Sequence, residues 1–289
     1  MSRSRAHKLL ALLGGGLPTG LVVGLAAISG RAQADDFALS VSPPRFELSA
    51  QPGQTVRAVA ELSNAADTAT QLNFSTAEWE LTPQGGVALS EALKPDSCRP
   101  WVAIERRQTM LQAKTQLRYR FEVTPPPDTA PTECRFAIVV AGAERRVSPG
   151  GNVTFPVSGQ IALIVYVAVG DVKPQLRITK ADVVRLNGVL TPVLMVENTG
   201  TAHGRLSAFL NGTDANGVKR EFAPSTLPIL PGETRMIALN IDVGEDAIET
   251  GGQATVDAKA QQPIAYPLKL TGTVNDTLNS FAFDGVFEP

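Results

Sequence analysis

Large apolar side chains occupy alternate positions along one long stretch near the middle of the chain. They fall on odd numbers, interrupted only by Gly159, at Val153, Phe155, Val157, Ile161, Leu163, Val165, Val167 and Val169. Residues two apart share one face of a β-strand, so this period predicts a single strand with an apolar face. At about 3.3 Å per residue the strand would be roughly 55 Å long, which is more than one small sandwich needs. Its first part, residues 153–157, is therefore expected to project beyond the core or to line an open groove.

An exposed strand edge with large apolar side chains is an aggregation hazard unless the protein uses it. The use that fits is strand addition, in which backbone hydrogen bonds bind a partner and alternate side chains fill the partner's groove. Pro156 lacks a backbone donor, which suits an edge position better than a central one. The alternative is that residues 153–157 only close the core of their own sandwich.

The rest of the chain from Phe37 onward also predicts strands. Short alternating runs separated by Pro, Gly, Asn and Asp dominate, and we find no convincing helical spacing of apolar residues. The segment PGQT at 52–55 returns as PGET at 231–234, and a strand ending in Asn64 is matched by one ending in Asn198. We therefore expect an all-β protein with two tandem immunoglobulin-like β-sandwiches. The expected limits are 1–34 for a signal peptide, 35–172 and 173–274 for the two domains, and 275–289 for a C-terminal tail.

That tail carries Phe281 and Phe283, which share one face of an extended segment. The pattern is typical of an edge strand folded back onto the second sandwich. The alternative is a segment that docks on a partner.

The first residues have the pattern of a secretory signal peptide. Arg3, Arg5 and Lys8 precede an apolar run from Leu9 to Ile28, and an A-x-A site follows at 32–34. Glycines and a proline interrupt the run, which argues against a membrane anchor. The sequence therefore predicts a chain that is exported to the periplasm and is not inserted in a membrane after cleavage.

The charge and the histidine content exclude several function classes. Removal of residues 1–34 takes away four of the 26 basic residues and none of the 28 acidic ones, which leaves a net charge of −6. Nucleic acid is an unsuitable partner for such a surface. The mature chain keeps one histidine, His203, in a segment typical of a solvated turn. Glu78 and Glu80 flank Trp79 on one strand, and we interpret them as part of a solvated sheet face. We therefore expect no catalytic site, no metal site, no cofactor and no enzymatic activity.

Two cysteines, Cys98 and Cys134, are present in this exported chain. Oxidising compartments keep paired thiols bridged, so one intramolecular disulfide is expected rather than a metal site or a nucleophile. On the chain-entropy model it would stabilise the fold by roughly 4 kcal/mol.

With these features the sequence resembles the periplasmic pilus-assembly chaperones of the PapD type, most closely from Val41 to Val169. The resemblance rests on Pro43-Pro44-Arg45-Phe46, on Trp101-Val102-Ala103-Ile104, on Thr132-Glu133-Cys134-Arg135-Phe136-Ala137-Ile138, and on Val153-Thr154-Phe155-Pro156-Val157 as the strand-donating segment. It implies a protein that completes the missing strand of secreted pilin subunits and hands them to an outer-membrane usher.

In that family an arginine and a lysine anchor the terminal carboxylate of the subunit, and Arg45 matches the arginine by context. Ala162 stands where the lysine would be, so either another base such as Arg135 or Lys173 substitutes, or the anchor is incomplete. The resemblance thus implies a partner-binding set of Arg45, Val153, Phe155 and Val157. A structural or adhesive surface protein with tandem immunoglobulin-like domains is the main alternative, and a carbohydrate-binding or hydrolytic accessory protein is a third.

Overall fold

The computed structural model describes residues 38–82, 85–143, 145–147, 155–157, 159–242, 262–276 and 278–289, with backbone alone for 145–147 and 155–157. Phe37–Pro289 form one compact unit. Regular structure in the described residues is almost entirely β, as predicted, with one 3-10 turn at Arg99–Trp101. The strands form two sandwiches. Among the described residues, no helix is long and apolar enough to span a membrane.

The first sandwich packs one sheet of order β1-β3-β8-β6 against another of order β2-β12-β9-β4-β5, in which β7 also pairs with β4. The remaining pair, β10 and β11, forms a separate ribbon. The strands are β1 (Leu39–Ser42), β2 (Arg45–Ala50), β3 (Val56–Asn64), β4 (Thr70–Leu81), β5 (Val87–Ser90), β6 (Val102–Ile104), β7 (Gln108–Leu111), β8 (Gln116–Val123), β9 (Thr132–Gly142), β10 (Arg145–Val147), β11 (Phe155–Val157) and β12 (Gln160–Val169).

The odd-numbered face of β12 lies in the core of the first sandwich. Leu163, Val165, Val167 and Val169 are buried there, and Ile161 packs against the same cluster. The alternation read from the sequence is therefore confirmed for the second half of the apolar stretch, because a period of two places every one of these side chains on one face.

The prediction of one continuous strand from 153 to 169 was wrong. The described residues form two strands, β11 and β12, with Gly159 between them. β12 pairs with β9 with Gln160 opposite Ala141, whereas β11 pairs with β10 with Val157 opposite Arg145. The second register is out of step with the first by one residue, which is the signature of a local bulge. Val153 lies outside the described residues.

The second sandwich is a seven-stranded sheet of order β13-β14-β17-β16-β15-β18-β19. Its terminal strands approach within 8 Å of each other by their Cα atoms, so the sheet folds over an apolar core. The strands are β13 (Leu176–Leu186), β14 (Val189–Asn198), β15 (Ser207–Thr213), β16 (Lys219–Pro224), β17 (Thr234–Ile241), β18 (Leu268–Asn275) and β19 (Ser280–Phe287).

The C-terminal tail is the edge strand β19. It pairs with β18 in antiparallel register from Ser280 to Phe287. Phe281 and Phe283 pack against the core of the second sandwich, and Phe287 is buried in it. The structure thus agrees with the edge-strand interpretation of the tail.

The two sandwiches repeat the same turn chemistry, as the sequence echoes predicted. Gly53 and Gly232 both have positive φ, +76° and +74°, which glycine adopts without steric cost. In each sandwich a buried asparagine donates its side-chain amide to the carbonyl four residues on, from Asn64 to Thr68 at 2.9 Å and from Asn198 to Ala202 at 2.8 Å. Each also accepts from the amide two residues on, at 3.0 and 2.9 Å respectively.

Cys98 and Cys134 form the predicted disulfide, with their Cα atoms 6.0 Å apart. It ties the 3-10 turn to the start of β9, and both cysteines belong to the core of the first sandwich. The bridge therefore fixes the strand that carries Glu133 and Arg135.

Candidate functional site

One edge of β12 is only partly covered. β2 pairs with β12 in parallel from Ile164 to Val169, and the Ile164 amide donates to the Pro44 carbonyl at 3.1 Å. On that side no described strand pairs with Gln160–Leu163. Because a free strand edge exposes unpaired backbone donors and acceptors, this short edge can accept one more strand.

The open edge continues toward the ribbon. β11 pairs with β10 and with no other strand in the part of the chain that the structure describes. Phe155 and Val157, two of the predicted partner-binding residues, lie on β11 and are placed by backbone alone. β11 and the first part of β12 therefore offer an unpaired edge on both sides of Gly159.

Arg45, the third described residue of the predicted set, is the first residue of β2 and lies opposite Ile164. Arg45 therefore lies where the pairing of β2 with β12 ends, next to the unpaired edge at Gln160–Leu163. Alternation along β2 buries Phe46 in the core and leaves Arg45 and Glu47 on the outer face, with the Arg45 side chain 46% exposed. The predicted arginine is thus accessible to solvent at the Leu163 end of the unpaired edge.

Arg45 is tied to a carboxylate that also binds the second sandwich. Its Nε lies 2.9 Å from Oε1 of Glu47, and the same oxygen accepts a hydrogen bond from Nη1 of Arg205 at 2.8 Å. Burial raises the pKa of Glu47, but the neighbouring Arg205, His203 and Arg45 outweigh this effect, and the pKa lies below its ordinary value.

His203 is not the solvated turn residue that the sequence predicted. Its side chain is only 9% exposed and stacks on Tyr166 with ring centroids 3.7 Å apart. Nδ1 lies 2.6 Å from Oε2 of Glu133, and Nε2 lies 2.8 Å from Nη1 of Arg205. A guanidinium can only donate, so Nε2 accepts and the proton is assigned to Nδ1, facing Glu133. These partners are distant in sequence, and no local pattern around His203 could have revealed them.

An apolar cluster packs beside these polar groups. Trp79, Ala137 and Tyr166 are buried there, and Ala162, Ile164 and Leu230 pack against them. Leu230 comes from the second sandwich, so the cluster joins the two. Ala162, which the resemblance led us to expect at the position of a lysine, packs against this apolar cluster.

The two bases considered as substitutes for that lysine are engaged elsewhere. The guanidinium of Arg135 lies over the Trp79 ring, 5.6 Å from its centroid, and Lys173 pairs with Asp171 at 2.9 Å. Arg205 is instead the base that shares a carboxylate with Arg45. Sequence reasoning missed it because Arg205 lies in the other sandwich, about 160 residues away, and its contact depends on how the two pack together.

Glu78 also differs from its prediction. It is buried, accepts from the Ser97 hydroxyl, and lies 3.6 Å from Nη1 of Arg99. Glu80 remains exposed and pairs with Lys94. The two carboxylates therefore have separate structural partners. No group of three metal-ligating side chains occurs among the residues that the structure describes.

Comparisons with known proteins return structures only. No family model and no curated protein match the chain. It is similar to the E. coli chaperone DraB (16% identity over 87% of this chain and 97% of that one, TM-score 0.41). It is also similar to the class 5 fimbriae chaperone CfaA (9% identity, 87% and 99%, TM-score 0.42) and to the CsuC–CsuE chaperone–tip adhesion subunit pre-assembly complex of Acinetobacter baumannii (13% identity, 87% and 99%, TM-score 0.41).

Chaperones of the pilus-assembly class that the sequence resembles are thus among these structures.

Proposed function

We propose that the protein is a periplasmic chaperone or chaperone-like protein that binds secreted pilus or fimbrial subunits by donating an edge β-strand. The observation that carries this proposal is the open edge of β12 at Gln160–Leu163, which ends at Arg45 and continues toward β11. An incomplete β-sandwich subunit would pair with this edge, which would take the place of the strand that the subunit lacks.

Three kinds of groups at the edge have different proposed roles in binding the subunit. Backbone groups of the open edge supply hydrogen bonds, each contributing about 1 kcal/mol net. Val153, Phe155 and Val157 supply alternate apolar side chains for the groove of the subunit. Arg45 binds the terminal carboxylate of the subunit through a charge-assisted pair, which fixes the register of the added strand. An outer-membrane usher is the expected next partner, and export depends on the proposed signal peptide at 1–34.

The alternative function is a structural or adhesive surface protein. It would need no open edge at Arg45, and its tandem sandwiches would associate with each other or with the cell surface. The two proposals therefore differ in what accompanies the protein when it is isolated.

An affinity pull-down separates them. The mature chain, tagged at its C terminus, is isolated from a periplasmic extract of its own host, and the bound material is identified by mass spectrometry. Recovery of a small secreted β-sandwich protein in a one-to-one complex supports strand donation. Recovery of the chain alone, or as a polymer of itself, contradicts it and favours the structural function.

A further inference from the structure

On the outer face of β2, the Arg45 guanidinium is held through its Nε atom. Its closest contact with Glu47 is made by Nε, and no other hydrogen bond or ion pair of its side chain occurs among the described residues. Arginine binds a carboxylate most strongly through a pair of parallel N–H groups. A contact at Nε therefore orients the guanidinium, and its terminal nitrogens bond to none of the residues that the structure describes.

Glu47 is in turn held from the second sandwich. Arg205 donates to Glu47 Oε1 through Nη1, and its own position is fixed by Nε, which donates to the Thr226 carbonyl at 3.1 Å. The Arg205 guanidinium also lies over the Tyr166 ring, 5.4 Å from the centroid, and its side chain is 17% exposed. A long side chain held at this many points has little freedom left to lose.

We propose that Glu47 and Arg205 are positioning residues for Arg45, so that the second sandwich sets the orientation of the anchor on the first. This inference rests on the proposed function. Arg45 remains positively charged in this arrangement, and its oriented guanidinium can bind the terminal carboxylate of a subunit. Binding at the open edge then depends on residues that make no contact with the subunit.

The first test needs no subunit. The protein is labelled with ¹⁵N at arginine, and the Nε–Hε signal of Arg45 is assigned by its loss in Arg45→Ala. In the wild type we expect this signal to exchange slowly with water. Glu47→Gln keeps the shape but removes the charge, and both Glu47→Gln and Arg205→Ala should return the signal to the fast exchange of a free arginine. The control is Glu197→Gln, which removes the charge of the half-buried partner of the exposed Arg177 on the second sandwich.

The second test uses the subunit recovered in the pull-down. Glu47→Gln should weaken its capture by about twofold to fivefold, the range of an exposed ion pair. The same change should have no effect in the Arg45→Ala background, because it acts through Arg45. An equal effect in both backgrounds, or tighter capture by Glu47→Gln, would show that Glu47 does not position Arg45. If the wild type captures no subunit, the proposed function fails, while the exchange measurement still decides whether Arg45 is positioned.

Discussion

Arg205 Nη1 lies 2.8 Å from Oε1 of Glu47, and this contact joins the second sandwich to the residue that holds Arg45. Beside it, His203 of the second sandwich bonds to Glu133 of the first through both its ring and its backbone amide, at 2.6 and 2.9 Å. The candidate anchor therefore lies on the first sandwich but is ordered by both.

Glu47 should titrate below the ordinary range of a glutamate, because Arg205, His203 and Arg45 together outweigh the effect of its burial. A carboxylate with a lowered native pKa adds stability above the pKa of the unfolded state, and this stability is lost as the pH falls through the native pKa. The ¹³C shift of the Glu47 carboxyl measures the midpoint. We expect a lower midpoint in the wild type than in Arg205→Ala, and equal midpoints would mean that Arg205 does not stabilise the Glu47 charge.

Arg45→Ala should weaken subunit capture by about tenfold to a hundredfold, since a hydrogen bond to a charged group is worth about 1.5–3 kcal/mol. The side chain is half-exposed, so thermal unfolding should not change. The matched control is Arg57→Ala, which removes an exposed arginine paired with Glu122 on the other sheet. Calorimetric titration with the recovered subunit gives both affinities. Equal affinities for the two variants would remove Arg45 from the site.

Phe155→Asp should abolish capture while both sandwiches still fold. Burying aspartate in an apolar groove without a partner is costly, so the loss should exceed about a hundredfold. Val189→Asp is the control, because Val189 is an exposed apolar residue at the start of β14. Circular dichroism and thermal unfolding monitor the fold. Unfolding of the first sandwich by Phe155→Asp would show that this side chain belongs to its own core.

Asn198→Ala should destabilise the second sandwich by about 3 kcal/mol, because loss of the buried side-chain amide leaves two carbonyls without their donor. Those carbonyls belong to Ala202 and Ile229, at 2.8 and 2.9 Å from Nδ2. Asn211→Ala, on an exposed position of β15, should change little. Urea unfolding measures both. A loss for Asn198→Ala as small as that for Asn211→Ala would mean that the turn does not depend on these bonds.

The fold could be predicted from sequence because its signals are local. A period of two identifies β12, the repeated PGQT and PGET segments identify equivalent turns, and asparagines at strand ends identify equivalent caps. The split of the long apolar stretch was missed because the one-residue bulge depends on pairing with β10, and no single strand encodes its partner's register.

The candidate site was predicted only in part. Arg45 could be identified because it stands in a local motif next to two prolines. Glu47, Arg205 and His203 could not, because each acquires its role from a residue of the other sandwich. Burial of His203 depends on Tyr166, Glu133 and Arg205, and its own turn sequence contains no sign of them.

Amide hydrogen exchange of the complex tests strand donation at the open edge most directly. The exchange of the backbone amides of Gln160 and Ala162, which lie on the same side of β12 as the Ile164 amide that donates to Pro44, is compared in the free protein and with the recovered subunit bound. Strand donation predicts fast exchange in the free protein at the edge that β2 leaves uncovered and slow exchange of the same amides in the complex. A bound subunit that leaves these amides unprotected would contradict strand donation and place the binding surface elsewhere.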